Sequence, residues 1–94
     1  MSAPPGRPCL TALNSPFVGR RFLLAGPLSF IGRAAECQVQ LDLVSVSRQH
    51  ACVEEAGGRF FLRDMGSRNG VKHQGRLVER AELAPGDIIT VGEV

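Results

Sequence analysis

A chain of 94 residues with 44% hydrophobic and 21% charged side chains has the make-up of one small globular domain, not of a disordered or fibrous protein. A formal net charge of +2 permits an anionic partner but falls short of the concentrated basic stripe of a nucleic-acid binder. No apolar run approaches the roughly 18 residues of a membrane span, and Cys9, Cys37 and Cys52, odd in number and without C-x-x-C spacing, argue for reduced thiols. The expectation is a cytoplasmic protein, or the cytoplasmic module of something larger, with no membrane or nucleic-acid partner.

Residues 1–8 hold Pro4, Pro5 and Pro8 and no apolar run, so they read as a mobile tail and not as a signal peptide. Residues 9–94 read as one domain. A first strand over 9–13 stops at the turn former Asn14-Ser15-Pro16, and a second over 20–25 stops at Gly26-Pro27. A third follows over 28–32, and Val39 to Leu41 form a further apolar segment.

Segments 51–54 and 59–63 flank Gly57-Gly58 and read as a hairpin. Alternation puts Phe60 and Leu62 on one face, with Arg59, Phe61 and Arg63 on the other. Gly70-Val71 opens a short strand, Gly75 lies in the turn after Lys72-His73-Gln74, and 77–80 is the next strand. Ala81-Glu82-Leu83-Ala84 suggests one helical turn ended by Pro85. Pro85-Gly86-Asp87 is a turn, and 88–91 is a β-branched strand. Turn signals about every eight to twelve residues, with no sustained helical period, predict an all-β sandwich or barrel.

Three polar clusters interrupt the apolar segments between residues 31 and 71: Gly32-Arg33, Ser47-Arg48-Gln49-His50 and Gly66-Ser67-Arg68-Asn69-Gly70. Our reading is that they are loops at one end of the sandwich, together forming a pocket for a phosphorylated side chain. A phosphate monoester carries about −1.5 to −2 charge at neutral pH and presents three strong acceptor oxygens. Guanidinium forks, hydroxyls and free backbone amides satisfy it, and loops supply these better than strand interiors do. Arg33, the Ser47-Arg48 pair and Asn69 converge if the three loops share one end.

Four segments, in this order, resemble the signature of forkhead-associated domains. They are Ile31-Gly32-Arg33, Val46-Ser47-Arg48-Gln49-His50-Ala51, Asp64-Met65-Gly66-Ser67-Arg68-Asn69-Gly70, and Leu83-Ala84-Pro85-Gly86-Asp87-Ile88-Ile89-Thr90-Val91-Gly92. The resemblance implies a β-sandwich of two mainly antiparallel sheets that binds phosphothreonine peptides through loops at one apex. It implies that Arg33 binds phosphate, Ser47 donates its hydroxyl to it, and Arg48 adds charge or contacts peptide. Asn69 would bond the peptide backbone, and Arg68 stands in the variable, peptide-facing place before it. Gly32, His50, Ser67 and Gly70 match positions that shape the loops.

The resemblance also implies one more strand after Val91-Gly92, inside a sheet near the first strand, whereas only Glu93 and Val94 follow here. The expected fold is therefore a sandwich without its usual C-terminal strand. Three readings stand open: a piece of a longer protein, a gap filled by another copy or segment, or a first strand shifted across to pair with 88–91. A strand-exchanged homodimer through the incomplete sheet belongs to the second.

Each residue also has a plainer reading: Arg33 as a surface arginine, Ser47 as a turn residue, Asn69-Gly70 as a turn dipeptide, and His50 as a hydrogen-bonded structural histidine. For His50 the structural reading is preferred, and His73 has no evident partner in the sequence. Ser47 and His50 lack a third group for nucleophilic catalysis, and His50, Cys52 and Cys37 match no zinc spacing, so no enzyme activity, metal or cofactor is expected. The function expected is a phosphothreonine-peptide binding module in Ser/Thr kinase signalling, recruiting a phosphorylated partner or a phosphorylated stretch of its own parent protein. The alternative is a phospho-independent scaffold or oligomerisation module that uses a sheet face or the open edge.

Overall fold

The computed structural model describes residues 9–14, 16–24 and 27–92. The tail expected over 1–8, the turn residues Ser15 and Gly26, Ala25 at the expected end of the second strand, and Glu93-Val94 lie outside the described residues. The strands are β1 (Cys9–Thr11), β2 (Arg21–Leu23), β3 (Leu28–Gly32), β4 (Val39–Gln40), β5 (Ala51–Ala56), β6 (Arg59–Asp64), β7 (Val71–His73), β8 (Arg76–Val78), β9 (Arg80–Leu83) and β10 (Ile89–Val91).

One layer is a five-stranded sheet of order β4-β3-β5-β6-β9, in which only β3 and β4 run parallel. The opposing strands form a three-stranded ladder β10-β7-β8 and a separate two-stranded ribbon β1-β2. The β-sandwich reading holds, and its centre is the expected hairpin: β5 and β6 pair from Ala56↔Arg59 to Ala51↔Asp64 around Gly57-Gly58, both at positive φ. The shift of the first strand onto 88–91 does not occur, since β1 pairs with β2 and β10 with β7.

Two expectations are corrected. Residues 81–83 are extended, because β9 adds an edge to β6 through Phe60↔Leu83 and Leu62↔Ala81, and that ladder overrides the weak local helical preference. The single strand read over 77–80 is two strands on different sheets, β8 and β9, divided at Glu79. The Glu79 carbonyl accepts the Asp64 N–H at 2.9 Å and holds this corner to the end of β6.

The core lies between the layers. Phe22, Ile31, Val39, Leu41, Val46, Ala51, Val53, Leu62, Val71 and Val91 are buried in one cluster to which nearly every strand contributes. Alternation on β6 turns Leu62 fully inward and Arg63 outward, while half-buried Phe61 lies under the Arg80 guanidinium, 4.2 Å from its ring centre. Val46 is buried within the loop that leads to Ser47, so the core itself anchors the segment that carries the polar clusters.

Candidate functional site

The three polar clusters meet at one end of the sandwich. Where β3 ends, the Arg33 N–H donates to the Ser47 carbonyl at 3.0 Å, and the Ala34 N–H donates to the Arg48 carbonyl at 3.1 Å. This two-bond zipper needs Gly32. A Cβ there would be driven into the Arg48 carbonyl and would sit 3.0 Å from Cys37 Sγ. Gln40 Nε2 steadies the first loop from the neighbouring strand by donating to the Arg33 carbonyl at 3.2 Å.

Ser47 joins the second loop to the third. Its Oγ accepts the Arg68 N–H at 3.1 Å, which occupies an acceptor site and leaves the hydroxyl proton free to be donated outward. Asn69 Nδ2 donates to the Ser45 carbonyl at 2.8 Å, leaving its Oδ1 and second amide proton for another partner. Within the third loop, Ser67 donates its N–H to Asp64 Oδ1 and accepts the Gly70 N–H on its Oγ, each at 2.9 Å. These closures hold an exposed turn in which Gly66 and Gly70 adopt positive φ.

His50 ties these loops together from beneath. It is fully buried, its Nδ1 accepts the Ser47 N–H at 2.9 Å, and its Nε2 lies 2.7 Å from the Gly70 carbonyl. Because Nδ1 is an acceptor, the ring proton sits on Nε2 and is donated to Gly70. The imidazole therefore faces the main chain of Ser47, not its hydroxyl, and both its nitrogens are engaged. A serine–histidine nucleophile pair needs the opposite arrangement.

Ser47 is thus the node of the apex. Arg48 follows it in the chain, Arg33 binds its carbonyl, and the Arg68 N–H binds its hydroxyl oxygen. Arg33, Arg48, Arg68 and Asn69 are exposed, Ser47 and Ser67 half-buried, and Gly32 and His50 buried. Among the described residues the ion pairs are Arg59–Glu82 and His73–Asp87, so none of the three apical arginines is neutralised by a carboxylate. Three exposed arginines whose main chains meet at Ser47, with its hydroxyl and the Asn69 amide beside them, are the donor types that suit a multiply charged oxyanion. Beyond Asn69 a shallow groove of about 370 Å³ continues over Gly70, Leu77 and Glu79.

The comparisons with known proteins agree with this geometry. The family model described as "FHA domain" matches residues 30–92, from β3 through β10. The chain belongs to the forkhead-associated (FHA) domain family.

Among curated proteins it is 39% identical to the glycogen accumulation regulator GarA of Mycolicibacterium smegmatis, over 96% of this chain and 57% of that one. It is 34% identical to the oxoglutarate dehydrogenase inhibitor of Corynebacterium diphtheriae, over 99% of this chain and 65% of that protein. The chain thus spans 57% and 65% of the length of these two relatives. A solved structure from a structural and functional analysis of phosphothreonine-dependent FHA domain interactions superposes with a TM-score of 0.77 at 32% identity, covering 83% of this chain and 81% of that one. The FHA domain of CT664 from Chlamydia trachomatis gives 0.82 at 27% identity, covering 92% and 89%.

Several parts of this FHA domain's apex were not singled out from the sequence. Ser45 receives Asn69 and lies under Gly92, where a Cβ would come within 2.7 Å of the Ser45 carbonyl oxygen. Asp64 and Gln40 hold loop main chain, and only Asp64 left a trace: an aspartate three residues before Ser67 is the spacing of a side-chain-closed turn. Cys37 has a structural place too. Its thiol donates to the Arg48 carbonyl at 3.4 Å, and burial, with the nearby Glu36 charge, pushes its pKa up, which keeps it an unreactive thiol. Among the described residues there is no helix long and apolar enough to cross a membrane.

Proposed function

We propose that this FHA domain is a phosphothreonine-dependent binding module that acts in the cytoplasm in Ser/Thr kinase signalling and carries out no chemistry of its own. In this reading Arg33 and Arg48 supply guanidinium donors to the phosphate, and Ser47 donates its hydroxyl proton to it. Asn69 binds the peptide main chain with the amide groups not used by Ser45, and Arg68 contacts the residues beside the phosphothreonine. The observation that carries the reading is the convergence of three arginines on Ser47 through two inter-loop hydrogen bonds and one peptide link.

The phosphorylated segment belongs to a partner protein or to another part of the same parent polypeptide. Relatives named as a regulator and an inhibitor support control through binding. A few charge-assisted hydrogen bonds of about 1.5–3 kcal/mol each, less the ordering of a flexible peptide, suit micromolar affinity, about −8 kcal/mol. Calorimetric titration with a phosphothreonine peptide and its unphosphorylated twin tests this, and equal affinity for both would overturn it.

The second reading is a phospho-independent scaffold or a strand-exchanged homodimer. It is favoured by the separation of β1 from β10, which leaves each with a partner on one side only among the described residues. It predicts no preference between the two peptides.

A further inference from the structure

The face of the five-stranded sheet that looks away from the core is a second charged surface. Ile31, Ala51, Val53 and Leu62 point into the core, so their neighbours Phe30, Cys52 and Arg63 point outward. The register carries that row across to Arg80 on the edge strand β9. The next row toward the β5–β6 turn is Leu28, Glu54, Phe61 and Glu82. Cys52 is fully buried although it faces outward, so the side chains around it close over the sheet there. Arg63 and Arg80 are exposed, Phe30 and Phe61 half-buried, and Leu28 is 39% exposed.

Arg63 and Arg80 stand directly opposite each other. The Asp64 N–H donates to the Glu79 carbonyl at 2.9 Å, so that pair is of the hydrogen-bonded kind. The adjoining Arg63–Arg80 pair is of the other kind, in which facing residues come closest, about 4.5 Å between Cα atoms. Like charges placed so work against the ladder. The carboxylates on the same face do not relieve them: Glu82 pairs with Arg59 at 3.7 Å, and Glu54 forms no ion pair with a described residue. Stacking on Phe61 holds the Arg80 guanidinium over the sheet, 4.2 Å from the ring centre. The fold thus keeps two facing cations on a rigid, partly aromatic floor without closing an ion pair on either.

We propose that this face docks an acidic segment of a partner protein, whose carboxylates bind Arg63 and Arg80 while its apolar side chains lie on Phe30 and Leu28. A guanidinium takes a carboxylate through two parallel N–H donors, and a carboxylate shared by the two arginines replaces their mutual repulsion with attraction. Two arginines flanked by apolar surface do not suit a nucleic acid, which needs a longer basic track. Glu54 and Glu82 in the neighbouring row set the register, because they repel a partner whose acidic residues are shifted toward the β5–β6 turn. The surface lies on strands and not on the apical loops, and it needs neither phosphothreonine nor the apical arginines.

The probe is an unphosphorylated eight-residue peptide alternating glutamate and leucine, beside its twin with glutamine for every glutamate. At low salt the glutamate peptide is expected to shift the amide NMR resonances of Phe30, Cys52, Arg63 and Arg80, and the glutamine twin to leave them in place. Arg63→Gln with Arg80→Gln should weaken binding of the glutamate peptide about tenfold or more, while affinity for a phosphothreonine peptide without other acidic residues stays as it was. Arg63→Gln alone relieves the like-charged pair, so Tm of the peptide-free protein should rise by about 2 °C. No shifts on the sheet face, or shifts confined to residues 32–34, 47–48 and 68–69, overturn the proposal, the second because the apex is then the acceptor. So does a double variant that loses both peptides, which makes the pair part of the apex, or a fall in Tm, which assigns Arg63 to the fold.

Discussion

His50 donates its Nε2–H to the carbonyl of Gly70, 2.7 Å away and 20 residues further along the chain, while its Nδ1 receives the N–H of Ser47. One fully buried ring thus sets the separation of the two loops that carry Ser47 and Asn69. His50→Ala should remove a buried volume and strand two main-chain groups together, destabilising the domain by about 3 kcal/mol. Urea unfolding measures this. A loss below about 1 kcal/mol would mean that the loops hold their spacing without the ring.

Arg33→Ala tests the apex separately from the fold. The side chain is exposed and forms no ion pair with a described carboxylate, so stability should change by less than about 0.5 kcal/mol. Phosphopeptide affinity should fall tenfold or more, about 2 kcal/mol, by calorimetric titration. A folded variant that keeps full affinity would remove Arg33 from the phosphate site.

Gly32→Ala adds a single methyl group where the Arg48 carbonyl already lies. The zipper joining Arg33 to Ser47 must spread to admit it, at a cost of about 2 kcal/mol in stability. Binding should weaken along with it, because the spread carries Arg33 away from Ser47. Unchanged melting and binding would show that the two loops are more pliable than their hydrogen bonds imply.

At the opposite side of the β7–β10 ladder, Asp87 accepts His73 Nε2 at 2.7 Å and the Ala84 N–H at 3.0 Å. The hydrogen bond from His73, then that from Ala84, holds the Asp87 carboxyl below its ordinary value of 3.8. Its folded-state pKa is the lower one, so its contribution to stability is complete above the ordinary value and disappears as pH falls through the folded-state value. The urea midpoint of the natural protein should exceed that of Asp87→Asn by a constant margin from about pH 7 to pH 5, and the margin should close at lower pH. A margin that persists at about pH 2 would assign the effect to shape instead of charge.

Phosphopeptide affinity should respond to acid earlier than the fold does. The phosphate takes up its second proton near pH 6, so binding should weaken below about pH 6 while the Asp87 contribution is still intact. A peptide with a phosphonate of lower second pKa should shift the transition to lower pH. A binding profile that instead follows unfolding would assign the pH response to the protein and not to the ligand.

Local chemistry was enough to read the β class, most of the turns and the residues around which the apex is built. Turn formers such as Gly57-Gly58 and the alternation across β6 act over a few residues, so a linear sequence displays them. Residues 81–83 were misread because four residues carry little intrinsic preference, and the partner strand β6, about twenty positions earlier, makes the decision. The same holds for the break at Glu79, which looks like continuous strand until two different sheets claim its two sides. Only the folded chain could show that Ser47 uses an oxygen lone pair on Arg68 and keeps its proton free. Which way a hydroxyl or an amide points depends on neighbours distant in sequence, and they arrive only when the two layers close over Ile31, Leu62 and Val71.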